Sequence, residues 1–275
     1  MGKWVTAGII VFWLVMTGLL VHREVMPAIE LARTQAERTG TYEELLRAAA
    51  QRRNIAMGIY HGAERIGETS TLVQPLKSGN WVIRTSTHFQ ARALGAIMPL
   101  LGKLAAMIPG ELEVTTEADV GSEYKLTAFC ATVRSSQMAQ PWAVLQTVVI
   151  NNTISGTLKD FSGQVRPIRF QLDPRTNLAA EFTAPLAPRD LSVGRRWRIE
   201  MFNPVTGAIE SATAEVIGQE PMTVNGLEQN LFVVRMNWRD LKLKSWVTSE
   251  GEVAKQEAPF GLTLIREEGR TAPPQ

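Results

Sequence analysis

The chain has 275 residues, 29 of them basic and 27 acidic, with a formal net charge of +2 and a single cysteine. Charge so balanced, with no block interleaving Lys, Arg and aromatic residues, excludes a nucleic-acid footprint, and one cysteine excludes an internal disulfide. About 250 residues follow the first apolar run, enough for one large core or two modest ones.

Trp4 to Val21 carries no charge over eighteen positions. As a helix that run is about 27 Å long, close to the hydrocarbon thickness of a bilayer. It predicts a retained transmembrane signal anchor over residues 1–22. A cleaved signal needs a small-x-small site, and Met26 stands where a small residue is required; lipidation needs a cysteine just behind the core, whereas Cys130 is far downstream. The very short amino-terminal tail places the large domain outside the cytoplasm, on the periplasmic side of an inner membrane. The flanking charges, Lys3 before the run and Arg23, Arg33 and Arg38 mixed with Glu24, Glu30 and Glu37 after it, do not decide orientation.

Residues 23–53 read as a helical stem. Pro27 is suited to a first helical position and Gly40 to a stop. Thr41 with Glu44 three residues on is a capping box, in which each side chain satisfies an orphan backbone amide, and Leu45 and Leu46 continue that helix.

From Asn54 the hydrophobic period changes from helical to two. Ile55, Met57 and Ile59 alternate, a turn falls at His61 to Glu64, and Ile66 to Val73 returns, so a hairpin is expected. Asn80 to Phe89 repeats the pattern. Further strands are expected at Glu111 to Thr116, Glu123 to Val133, Leu145 to Lys159, Gln164 to Leu172, Arg195 to Asn203, Ala212 to Ile217, Asn230 to Trp238, Lys242 to Val247 and Glu252 to Ala258. Short strands separated by Gly, Asn, Asp and Pro argue for an antiparallel sheet. One segment departs from this: Leu94, Ile97, Met98, Leu101, Leu104, Ala105 and Ile108 share a helical face that Pro109-Gly110 ends. The expected fold is mainly β, a curved antiparallel sheet over residues 54–268 with a helix packed on it, followed by a disordered tail at 269–275.

No catalytic set is legible. The histidines are His22, His61 and His88, and Cys130 lies in the apolar run Leu126 to Ala131, where a cysteine behaves as a small hydrophobe. There is no Gly-x-Ser-x-Gly elbow, phosphate loop or His-Glu-x-x-His. Too few His and Cys residues exist for a zinc site, and the acidic pairs Glu117 with Asp119 and Glu267 with Glu268 read as solvated turns. No catalytic, metal or cofactor residue is therefore expected. Asn151-Asn152-Thr153 fits a glycosylation triplet. The aromatic residues carry the remaining signal. An incompletely filled concave face would offer Met98, Leu101, Leu104, Trp238 and Trp246 as the lining of an apolar site.

Leu191-Ser192-Val193-Gly194, Phe202-Asn203-Pro204, Ala214 to Glu220, Val224-Asn225-Gly226, Trp246 to Val253 and Phe260-Gly261-Leu262 together resemble a bacterial extracytoplasmic β-domain family of unknown function. Gly58, Tyr60 and Ile66-Gly67 fit its opening hairpin, so the resemblance spans roughly Ile55 to Arg266. It implies a strongly bent antiparallel sheet, distantly similar to the half-barrels of lipoprotein carriers, with a helix on the concave face, and it brings no activity or catalytic residues. The expected function is a non-enzymatic, membrane-anchored domain that binds a lipid, another apolar ligand or an envelope protein partner. The rival expectations are a scaffold that docks another membrane protein through a sheet edge, and a hydrolase with an unrecognised site.

Overall fold

Successive side chains of a strand point to opposite faces, so the alternation at Ile55, Met57 and Ile59 commits one face of the first strand to the interior. The computed structural model describes residues 42–43, 46, 54–90, 110–159, 162–171, 178–179, 190–203, 208–224, 226–239 and 241–267. All lie within the unit Thr39–Gln275. The apolar run Trp4 to Val21, the predicted helix from Leu94 to Ile108 and the tail lie outside them. Among the described residues no helix is long and apolar enough to cross a membrane. Of the predicted stem only Tyr42, Glu43 and Leu46 are described. They have helical backbone, and Tyr42 and Leu46 are buried in the domain core.

The strands are β1 (Asn54–His61), β2 (Glu64–Pro75), β3 (Trp81–Gln90), β4 (Glu111–Val120), β5 (Leu126–Ser135), β6 (Ala143–Ile150), β7 (Thr153–Lys159), β8 (Val165–Gln171), β9 (Leu178–Ala179), β10 (Arg196–Asn203), β11 (Ala208–Val224), β12 (Leu227–Trp238), β13 (Leu241–Val247), β14 (Val253–Ala258) and β15 (Leu262–Glu267). They form one sheet in the order β8-β7-β6-β5-β4-β3-β2-β1-β15-β14-β13-β12-β11-β10-β9. Two meanders meet where the first strand pairs antiparallel with the last, Ile59 opposite Leu264. Every pairing is antiparallel except that of β9 with β10, and the sheet is not closed.

Local chemistry explains where the strand boundaries differ from expectation. The run Leu145 to Lys159, expected as one strand, is a hairpin: Asn151 and Asn152 both adopt positive φ, 50° and 59°, as a two-residue turn between Ile150 and Thr153 requires. Ala212 to Ile217 is the middle of a strand of 17 residues, because the shift in register between Val216 and Gly218 lets pairing continue to Val224. Similar shifts fall in β1 opposite β2, β4 opposite β5 and β13 opposite β14.

The inner face carries two large apolar clusters and a smaller one around Trp238. One gathers Leu145, Ile154 and Leu158 from β6 and β7 with Phe129, Val120, Val73 and the helical residues Tyr42 and Leu46. The other gathers Ile55, Met57 and Ile59 with Leu264, Val247, Val234, Val216 and Trp197 across β1, β15 and β13 to β10. Between them, β2 and β3 carry a buried hydroxyl seam. Thr69 bonds Thr87 at 2.8 Å and Thr71 bonds Thr85 at 3.0 Å, so each buried hydroxyl has a partner across the ladder.

Candidate functional site

On the outer face, cross-strand register brings polar residues together at the end of the sheet where β3 leaves and β4 returns. Glu68 stands opposite His88, and His88 opposite Glu113. A cleft of about 260 Å³ lies here, lined by Arg65, Ile66, Gly67, Glu68, His88, Phe89, Gln90 and Glu111. It opens at a register shift of β2 against β1, and at Gly67 a side chain would collide with the carbonyl oxygen of His88. Arg65 bridges two carboxylates, with Nη2 at 2.7 Å from Glu68 and 3.0 Å from Glu267, while the Tyr60 hydroxyl donates to Glu267 at 3.1 Å. The hydrogen bond to Glu68, joined by Glu267, raises the pKa of the Arg65 guanidinium further.

Ser86, His88 and Glu113 form the grouping closest to a nucleophilic relay. The Ser86 hydroxyl lies 3.1 Å from His88 Nε2, and a Glu113 oxygen lies 3.9 Å from that same nitrogen. A relay needs the hydroxyl on one ring nitrogen and the carboxylate on the other. Here both address Nε2, and the Ser86 hydroxyl is itself 3.5 Å from Glu113, so the carboxylate competes with the hydroxyl instead of orienting the ring for it. No residue pattern had singled out Ser86 or Glu113. Only the register of β3 against β4 joins them, and no spacing along the chain reveals it.

Cys130 lies on the outer face of β5, opposite Glu117 and Gln146. His88 leads through Glu113 to Arg134 in the same strand, four residues from Cys130 and so about 13 Å along it. The structure therefore does not bring the cysteine and this histidine together. Burial pushes the Cys130 thiol up, and Glu117 and Asp119 reinforce that against a hydrogen bond with Thr132, the reverse of what activates a nucleophile. Among the described residues no group of three His, Cys, Asp or Glu side chains could hold a metal ion.

Of the expected apolar lining, Met98, Leu101 and Leu104 lie outside the described residues. Trp238 and Trp246 are both buried, but the structure separates them. Trp238 packs with Met236, Leu243 and Ala212, whereas Trp246, opposite Val233, packs with Leu231 and Ala254. Five positions separate Val233 from Trp238 on one unshifted strand, so the two rings occupy opposite faces. The Trp246 ring is held by its own surroundings: its Nε1 donates to Glu220 at 2.7 Å, and the ammonium groups of Lys244 and Lys255 stand 4.4 and 4.6 Å from its centre. That tryptophan and Lys244 hold the Glu220 carboxyl below its usual range.

No family model matches the chain, and no curated protein matches it. Among solved structures it is similar to a β-barrel-like protein of the domain of unknown function DUF1849 from Brucella abortus, with 7% identity and a TM-score of 0.47 over 78% of this chain and 94% of that one. It is also similar to a DUF1089 family protein from Pseudomonas aeruginosa, with 10% identity and a TM-score of 0.35 over 68% of this chain and 87% of that one.

Proposed function

We propose that this chain is a non-enzymatic, membrane-tethered extracytoplasmic domain that binds an apolar ligand on the inner face of a curved, half-barrel-like sheet. The observation that carries the reading is the makeup of that face: two apolar clusters flank a seam of threonine hydroxyls in a sheet that does not close. An open sheet of fifteen strands curls, and four shifts in register add bend at intervals across it. A curved face of this makeup suits a molecule with an acyl chain and a polar end.

The rival readings have less support. β8 carries Pro167 beside Arg166 and Arg169, and β9 has two residues, features that blunt an edge against added strands. The outer-face Ser86, His88 and Glu113 lack relay geometry.

Displacement of a fluorescent eleven-carbon fatty acid from the detergent-solubilised protein tests the reading. Saturable binding, weakened when Trp197 on the inner face is replaced by Ala and unchanged when Ser86 is, is the expected outcome. Binding that never saturates would count against it.

A further inference from the structure

We propose that the outer face of β6, β7 and β8 is a contact surface for an anionic lipid bilayer. This rests on the tethered reading above, because it takes Trp4 to Val21 as a membrane span. The face is apolar and basic. Val148, Ile150 and Val165 are 51%, 66% and 65% exposed. Lys159 stands opposite Val165, and Arg169 opposite Ser155 in the row that begins at Val148. The three strands contain no acidic residue.

Elsewhere on the outer face cations are matched across strands, Arg84 with Glu117 and both Arg196 and Arg235 with Glu215. Lys159 and Arg169 make no ion pair among the described residues. Unmatched cations beside exposed aliphatic side chains are the makeup of surfaces that settle into the headgroup region of anionic bilayers.

Charge complementarity selects an anionic bilayer, and the chain between the apolar run and the domain is long enough to let the patch reach it. Twenty residues, His22 to Thr41, separate the apolar run from Tyr42. They reach about 70 Å if extended and about 30 Å as helix. Tyr42 and Leu46 pack with Leu145, Ile154 and Leu158 on the inner face of these strands, which leaves the outer face with the patch uncovered by them. A second copy would set like charges against each other.

The test uses the full chain reconstituted into phosphatidylcholine vesicles with and without phosphatidylglycerol. A nitrobenzoxadiazole label is placed at Thr157→Cys, at the centre of the patch, or at Leu227→Cys, on the hairpin of β11 and β12, each with Cys130→Ser. With phosphatidylglycerol present, the Thr157 label is expected to resist aqueous dithionite and the Leu227 label to be reduced freely. Two cations at an anionic surface favour contact by about thirtyfold, so Lys159→Glu with Arg169→Glu should remove the protection. Equal reduction at both sites in vesicles that float with the protein would overturn the patch alone. Failure of the protein to float with the vesicles would overturn the tether and the patch with it.

Discussion

Arg266 and Glu252 close an ion pair at 2.7 Å on the side of the sheet that carries the core, their side chains only 9% and 16% exposed. Arg266 stands opposite the buried Met57, two residues from Leu264. Two charges taken out of water attract each other strongly but have also lost their hydration, so the pair matters most when one partner is removed. Arg266→Met should cost up to about 3–5 kcal/mol of unfolding free energy, because Glu252 keeps its charge and loses this cation. Adding Glu252→Leu should recover part of the loss. Urea titrations of the two variants check this, and a double variant less stable than the single one would contradict it.

The Thr71 and Thr85 pair behaves differently because neither group is charged. Thr85→Val leaves the buried Thr71 hydroxyl without that partner and should cost about 1–2 kcal/mol. Replacing both by Val removes the orphan and should cost less than the two single changes summed, a coupling that a double-mutant cycle measures directly.

Leu46 is fully buried in the cluster of β4 to β7. Leu46→Ala should therefore lower stability by about 2–5 kcal/mol, as for a core leucine, where an exposed stem would show almost no change. Thermal or denaturant unfolding separates the two outcomes.

Two carboxylates give opposite dependences on pH. Burial pushes Glu215 up, but hydrogen bonds from Arg235 and Arg196 outweigh it and leave its pKa below the usual glutamate range. Its contribution is present above the unfolded-state pKa and is lost as pH falls through the depressed folded value. Glu215→Gln should destabilise at neutral pH, and the difference should shrink in acid. Asp119 is raised by burial and by Glu117, against Arg84. Its ionisation therefore opposes folding, an effect absent below the unfolded-state pKa and growing as pH rises through the folded one. Asp119→Asn should stabilise at neutral pH, and that gain should vanish in acid. Melting curves across the acid range for both variants check the pair of signs.

Strand-forming segments were legible wherever β-branched and aromatic residues alternate, as at Ile55 to Ile59 and Trp81 to Thr87. The Asn151-Asn152 turn was hidden because both flanking strands are apolar; its positive φ values belong to turn chemistry that periodicity does not see. The pairing of Leu262–Glu267 with Asn54–His61 joins chain ends some two hundred residues apart, and no local pattern encodes it. Of the expected lining, Trp238 and Trp246 were each correctly placed in strands, but face depends on register, and register puts them on opposite sides. The Ser86, His88 and Glu113 grouping was invisible for the same reason.

The most direct test of apolar-ligand binding is mass spectrometry of organic extracts from the full-length protein, purified from membranes and exchanged into lipid-free detergent. An unrelated single-span protein, prepared in parallel, serves as the reference. A single apolar species in stoichiometric amount, absent from the reference and lost on Trp197→Ala, is the predicted result. A folded protein that yields only the lipids also found in the reference would contradict it.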